Sequence, residues 1–155
     1  AMLVPIYYYT GCWSERLSNV YTELWNDSGT TTTSTSNGIT FGSVVNSNIG
    51  PATVRFCANR SVAITSSYQS SPAYQSFVST IDSGNVAIFT AGIIKSGGAR
   101  SGHAMAVEGC CTVQNTSTGE SWRTLRLFDG WYYNPAYVNY DFTGFTDTGG
   151  VFYAR

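Results

Sequence analysis

His103 is the only histidine in this 155-residue chain. Imidazole is the one side chain whose ordinary pKa lets it both take and release a proton near neutral pH. Any acid–base chemistry that uses an imidazole here must run through Ser101-Gly102-His103-Ala104-Met105-Ala106-Val107-Glu108-Gly109. The histidine follows a glycine and opens an apolar run, so it is expected at the mouth of a strand. The nucleophile best placed to work with it is Cys12. Thr10-Gly11 breaks the chain before it, and a helical pattern comes after. Leu17, Val20, Tyr21, Leu24 and Trp25 recur at i, i+3, i+4, i+7 and i+8, a single apolar stripe. Ser14 and Glu15 suit the first turn, and Asn26-Asp27-Ser28-Gly29 stops the helix. A thiol at the amino-terminal end of a helix faces orphan N–H groups and the positive end of the macrodipole. There its pKa falls from about 8.5 into a range of roughly 3.5–7.5, most of all beside a histidinium.

The third candidate is Asp129. His103 to Val113 reads as one strand, Gln114 to Glu120 as a polar turn, and Trp122 to Asp129 as the returning strand. His103, Met105 and Val107 share one face of the first strand; Leu125, Leu127 and Asp129 share one face of the second. His103 starts the outgoing strand and Asp129 ends the returning one. Antiparallel pairing therefore carries both to the same end of the sheet. A carboxylate beside an imidazole fixes its tautomer and stabilises the imidazolium.

The remaining elements must hold that hairpin and Cys12 together. Residues 3–9, Leu-Val-Pro-Ile-Tyr-Tyr-Tyr, are expected to be extended, with β-branched and aromatic side chains and Pro5 opposing a helix. The Thr- and Ser-rich residues 28–38 read as a loop. A short helix is expected from Ile39 to Ile49, ended by Gly50-Pro51. Ala52 to Cys57 and Ser61 to Thr65 alternate as short strands. Pro72 opens a helix whose apolar face is Tyr74, Phe77, Val78 and Ile81, closed by Gly84. Asn85 to Ile94 is nearly all apolar and predicts a buried strand. The aromatic, Gly-rich stretch Tyr137 to Tyr153 is expected to close the fold. All this amounts to one α+β domain over residues 1–155.

Charged residues make up only 11% of the chain, and the net charge is −1. A nucleic-acid-binding surface needs clustered Lys and Arg, and there is none. No apolar run reaches membrane-spanning length. The uncharged polar surface, rich in Ser, Thr, Asn, Gly and Tyr, suits an extracellular or cell-surface protein. Cys57, Cys110 and Cys111 are too sparse for a disulfide framework, and a bridge between the adjacent pair would be strained. No Cys-x-x-Cys spacing supports zinc, so neither metal nor cofactor is expected.

Three segments resemble the papain-like cysteine peptidases, especially the compact bacterial forms of the bacteriocin-leader-peptidase-like group. Val4-Pro5-Ile6-Tyr7-Tyr8-Tyr9-Thr10-Gly11-Cys12-Trp13, followed by a helix, is similar to the family's nucleophile segment. Gly102-His103-Ala104-Met105-Ala106-Val107-Glu108-Gly109 is similar to its Gly/Asn-His-Ala-Val-x-Val-x-Gly strand. Asp129-Gly130-Trp131 resembles its acid or amide followed by tryptophan. The resemblance implies a papain-like α+β fold, in which an amino-terminal helix carrying the nucleophile packs on an antiparallel sheet carrying His103 and Asp129. It implies a peptide or protein substrate, a Cys12–His103–Asp129 triad and a Trp131 that shields the pair. The family's glutamine before the cysteine is missing, since Ile6-Tyr7-Tyr8-Tyr9 stands there. The Tyr9 hydroxyl is the expected replacement donor to an oxyanion. Two other readings accompany the peptidase: a peptidoglycan amidase or transferase using the same triad, and a catalytically weak or silent binding module.

Overall fold

Ile6 and Tyr9, three residues apart, are both buried, and the segment that carries them is helical. The computed structural model describes residues 1–11, 13–130, 132 and 134–155. Its first element is helix α1, Leu3–Thr10, where an extended segment was expected. Pro5 does not oppose it. The first turn of a helix has no partner for its N–H groups, so a residue lacking one fits there. Burial of one face then outweighs the weak strand preference of Ile and Tyr. Gly11 ends α1 in the left-handed conformation, φ 63°, with its N–H on the Tyr7 carbonyl.

Helix α2, Leu17–Ser28, buries Val20 and Leu24 of the predicted stripe and leaves Leu17 and Tyr21 exposed, with Gly29 as its left-handed cap. It starts later than expected. Arg16 is its N-cap, so Ser14 and Glu15 precede it, and Cys12 lies five positions before its first residue. Residues 28–38 are not simply a loop. Strands β1, Thr31–Ser36, and β2, Ile39–Ser43, form an exposed hairpin around Asn37-Gly38. Both turn residues have positive φ, 51° and 75°, which is the pairing that a two-residue hairpin turn of the primed type demands.

Helix α3, Asn46–Ala58, replaces both the short helix and the strand expected on either side of Gly50-Pro51. Gly50 is a packing residue, because a Cβ there would lie 2.6 Å from Ser66 Oγ. Ile49, Thr53, Phe56 and Cys57 recur at helical spacing and are buried. Strand β3, Thr65–Ser70, begins where the expected Ser61–Thr65 strand ends. Helix α4, Tyr74–Asp82, is as predicted, with Phe77 in the core.

Strands β4 (Ala87–Ile94), β5 (Arg100–Gln114), β6 (Ser121–Phe128), β7 (Ala136–Asn139) and β8 (Phe145–Ala154) complete the chain. With β3 they form a six-stranded antiparallel sheet in the order β3-β8-β4-β5-β6-β7. The two faces bury different helices. On one, Phe77 of α4 packs among Phe89, Met105, Val107, Leu125, Leu127 and Phe152. On the other, Tyr9 of α1 and Ile49 and Cys57 of α3 pack on Val86, Ile88, Val151 and Tyr153. Helix α2 covers α1 and α3 from outside through Val20, Leu24, Ile6 and Phe56. No described helix is long and apolar enough to cross a membrane.

Candidate functional site

His103 lies on β5 opposite Ala91 of β4. Its strand position shares the Met105–Val107 face, as the alternation requires. The β5–β6 register pairs Ala106 with Phe128 and Val107 with Leu127, and a bulge at Glu108 follows. Asp129 is thus the first residue past the end of β6, beside the strand that carries His103.

The two are joined by a short hydrogen bond from His103 Nε2 to the main-chain carbonyl of Asp129. The sequence pointed to the carboxylate as partner; the contact seen here is made by the backbone. A carbonyl oxygen can only accept, so Nε2 carries the proton, and in the neutral ring Nδ1 is the basic nitrogen. The Asp129 carboxylate accepts the Tyr132 N–H at 3.2 Å, which shapes the turn leaving β6. That turn pins the carbonyl, and the carbonyl pins the ring.

Cys12 and Trp131 lie outside the described residues. The residues before Cys12 are anchored to the sheet. Tyr8 donates its hydroxyl to the Gly84 carbonyl at 2.6 Å, and Tyr9 donates to Asn85 Oδ1 at 3.2 Å. Tyr9 also accepts the Val86 N–H. Burial pushes the Tyr9 phenol above its ordinary pKa. Its one proton is therefore spent on Asn85, and the role expected of it as an oxyanion donor is replaced by a structural one. These anchors sit at the Val86 end of β4, and His103 pairs with Ala91. Five strand residues separate them, about 16 Å along the sheet. Trp13 turns back over α1 and stacks on Tyr7, with ring centroids 4.3 Å apart.

The other end of α1 is the one near His103. Met2, His103, Ala104, Thr90 and Asp147 line a cavity of about 400 Å³ that also reaches the start of α3 at Asn46. Thr90 and Asp147 were not singled out in the sequence. The signal for Thr90 was a hydroxyl in the middle of the apolar run from Asn85 to Ile94; Asp147 gave none. None of Cys57, Cys110 and Cys111 lines this cavity. Cys57 is buried between α3 and the sheet. Burial, with Asp82 and Cys111 nearby, pushes the Cys110 thiol up to about 11. Cys111 is exposed, its sulfur 3.2 Å from Thr124 Oγ1.

Fold and site together define an α+β protein whose sole imidazole is held by the chain's own backbone, three residues inside β5 rather than at the mouth of the strand as expected. No protein-family model matches the chain, and no curated protein matches it.

Proposed function

We propose that the protein is a thiol hydrolase of papain-like type that cleaves peptide bonds, with Cys12 as nucleophile, His103 as acid–base and Asp129 as the residue that orients it. The observation that carries the reading is the His103–Asp129 hydrogen bond, which makes Nδ1 the basic nitrogen of the neutral ring. In the mechanism, Nδ1 takes the Cys12 proton to give a thiolate–imidazolium pair. The thiolate attacks the amide carbonyl and forms a C–S bond. His103 returns the proton to the leaving amine as the C–N bond breaks. It then removes a proton from water, which attacks the thioester and frees the carboxylic acid and the thiol. Trp131 would cover the His103–Asp129 pair. An extracellular or cell-surface setting suits the weakly charged surface.

Hydrolysis of a fluorogenic peptide library by the wild-type chain and by Cys12→Ala tests this. Turnover that vanishes in the variant, with an unchanged fold, supports the reading; turnover that persists in a clean preparation removes Cys12 as nucleophile.

A second reading, a binding module with a catalytically silent thiol, is favoured by a different observation. Tyr8 and Tyr9 fasten the segment just before Cys12 to the Gly84–Val86 end of the sheet, the end away from His103. Gly11 caps the carboxyl end of α1, where the macrodipole is negative and disfavours a thiolate. Wild-type protein that hydrolyses neither peptides nor peptidoglycan supports this second reading.

A further inference from the structure

The sheet next to His103 is nearly bare of side chains on the α1–α3 side. Its register sets Gly149, Thr90 and Ala104 in one row across β8, β4 and β5, and Asp147, Gly92 and Gly102 in the next. Paired residues project to the same face. A Cβ at Gly102 would meet nothing closer than the Ala91 carbonyl at 3.9 Å, so the floor there is open. At Gly92 a Cβ would come within 2.8 Å of both Asp147 carboxylate oxygens, which places that carboxylate over the floor.

The lining also includes Ala1, Ser43, Asn46 and His103; three of its polar features carry the argument. Thr90 is 2% exposed, and its Oγ1 has no hydrogen-bond partner among the described residues. A native fold seldom keeps a buried hydroxyl unpaired unless something else pairs with it. Helix α3 starts on the rim at Asn46 with Val45 as its N-cap, a side chain that cannot cap; the Asn48 N–H bonds the Val45 carbonyl, and the N–H groups of Asn46 and Ser47 stand at the positive end of the dipole. The Asp147 carboxylate also lines the cavity, ion-paired with Arg100 Nη2 at 2.8 Å and accepting from Thr146 Oγ1 at 3.3 Å. One small cavity thus offers a positive helix end, a carboxylate and a hydroxyl that can donate or accept.

We propose that this cavity binds a small free α-amino acid, its carboxylate toward the first turn of α3 and the Thr90 hydroxyl, its ammonium toward Asp147. A volume of about 400 Å³ admits a small zwitterion and excludes a folded partner. The site uses none of the chemistry of Cys12 and stands whether or not that thiol is a nucleophile.

Calorimetric titration of the full chain with L-alanine tests it, with acetate and methylammonium as the single-charge controls. L-Alanine should bind with a Kd of about millimolar or tighter, and each control at least about tenfold more weakly. Thr90→Val keeps the shape and removes the hydroxyl; it should weaken L-alanine by roughly tenfold or more while the unfolding midpoint stays level or rises. Thr90→Ser should retain binding. Asp147→Asn should weaken L-alanine and leave acetate unchanged. Acetate binding as tightly as L-alanine, no heat from L-alanine at about 20 mM, or a Thr90→Val protein that binds like wild type each overturns the proposal.

Discussion

If Cys12 and His103 form an ion pair, the rate of attack by Cys12 on a disulfide probe must depend on the imidazole. The structure supplies an internal reference, because the Cys110 thiol is pushed up to about 11. A thiol beside a histidinium falls to about 6 and an unassisted one stays at about 8.5. At pH 6 the thiolate fractions are then roughly 50% and 0.3%, a ratio of about 160. Lower basicity makes each thiolate less nucleophilic. With a Brønsted slope near 0.45, that removes a factor of about 13 and leaves a net advantage of about 12. The same arithmetic puts Cys110 some 300-fold below Cys12, before its burial is counted. The assay is exchange with 4,4′-dithiodipyridine under pseudo-first-order conditions, with each cysteine mapped by mass spectrometry. In the wild type, the Cys12 rate should level off above pH 6 to 7. In His103→Ala it should be about 12-fold lower at pH 6 and climb about tenfold per pH unit up to about pH 8.5. A Cys12 rate and pH profile unaltered by His103→Ala would refute the ion pair and, with it, the hydrolase reading.

Four further outcomes are expected. In peptide hydrolysis, Asp129→Ala should lower the rate less than His103→Ala, because the contact to the ring comes from the backbone, which the substitution keeps; equal losses, or no loss in either, would contradict this. Arg60 joins Glu15 and Glu23 and lies over the Phe56 ring at 3.3 Å, so Arg60→Ala should cost roughly 1–3 kcal/mol in urea unfolding. Hydrogen bonding to Arg60 holds the Glu23 carboxyl below its ordinary value of 4.5, so that penalty should be full above pH 4.5 and shrink as acid protonates the carboxylate; a penalty constant down to low pH would show the loss to be packing alone. Gly50→Ala gains about 1 kcal/mol of helix propensity, yet the added Cβ would lie 2.6 Å from Ser66 Oγ and 3.0 Å from Val151 Cγ1, so a net loss of Tm is expected and a rise would mean that α3 can shift off β3.

How much of this was readable before folding depended on whether local pattern and tertiary burial agreed. In the β5–β6 hairpin and in β4 they agree: long apolar or alternating runs with polar turns, burying Met105, Val107, Leu125 and Leu127 on one face. The α2 stripe was equally plain, although its first turn was placed too early. At residues 3–9 the two conflict. Local preference favours a strand, but Ile6 is buried against α2 and α3 and Tyr9, three residues on, against the sheet, and a helical turn places both. At Gly50-Pro51 the punctuation misleads, since the glycine is there for close approach to β3 and Pro51 is an exposed residue inside the helix. The Asn37-Gly38 turn was visible but hidden within Ser/Thr-rich composition. The site divides along the same line. That His103 and Asp129 meet follows from strand order and turn length, which a sequence shows. That the Asp129 carbonyl makes the contact, and that Tyr9 spends its proton on Asn85, depends on backbone geometry and on contacts 76 residues away in the chain. The cavity at Thr90 is less legible still, because glycines and a register across three strands make it, and no single stretch records it. A spacing argument can thus bring an imidazole and an acid to one sheet end. Which of their atoms meet, and what stands opposite them, is decided by the closing of the sheet.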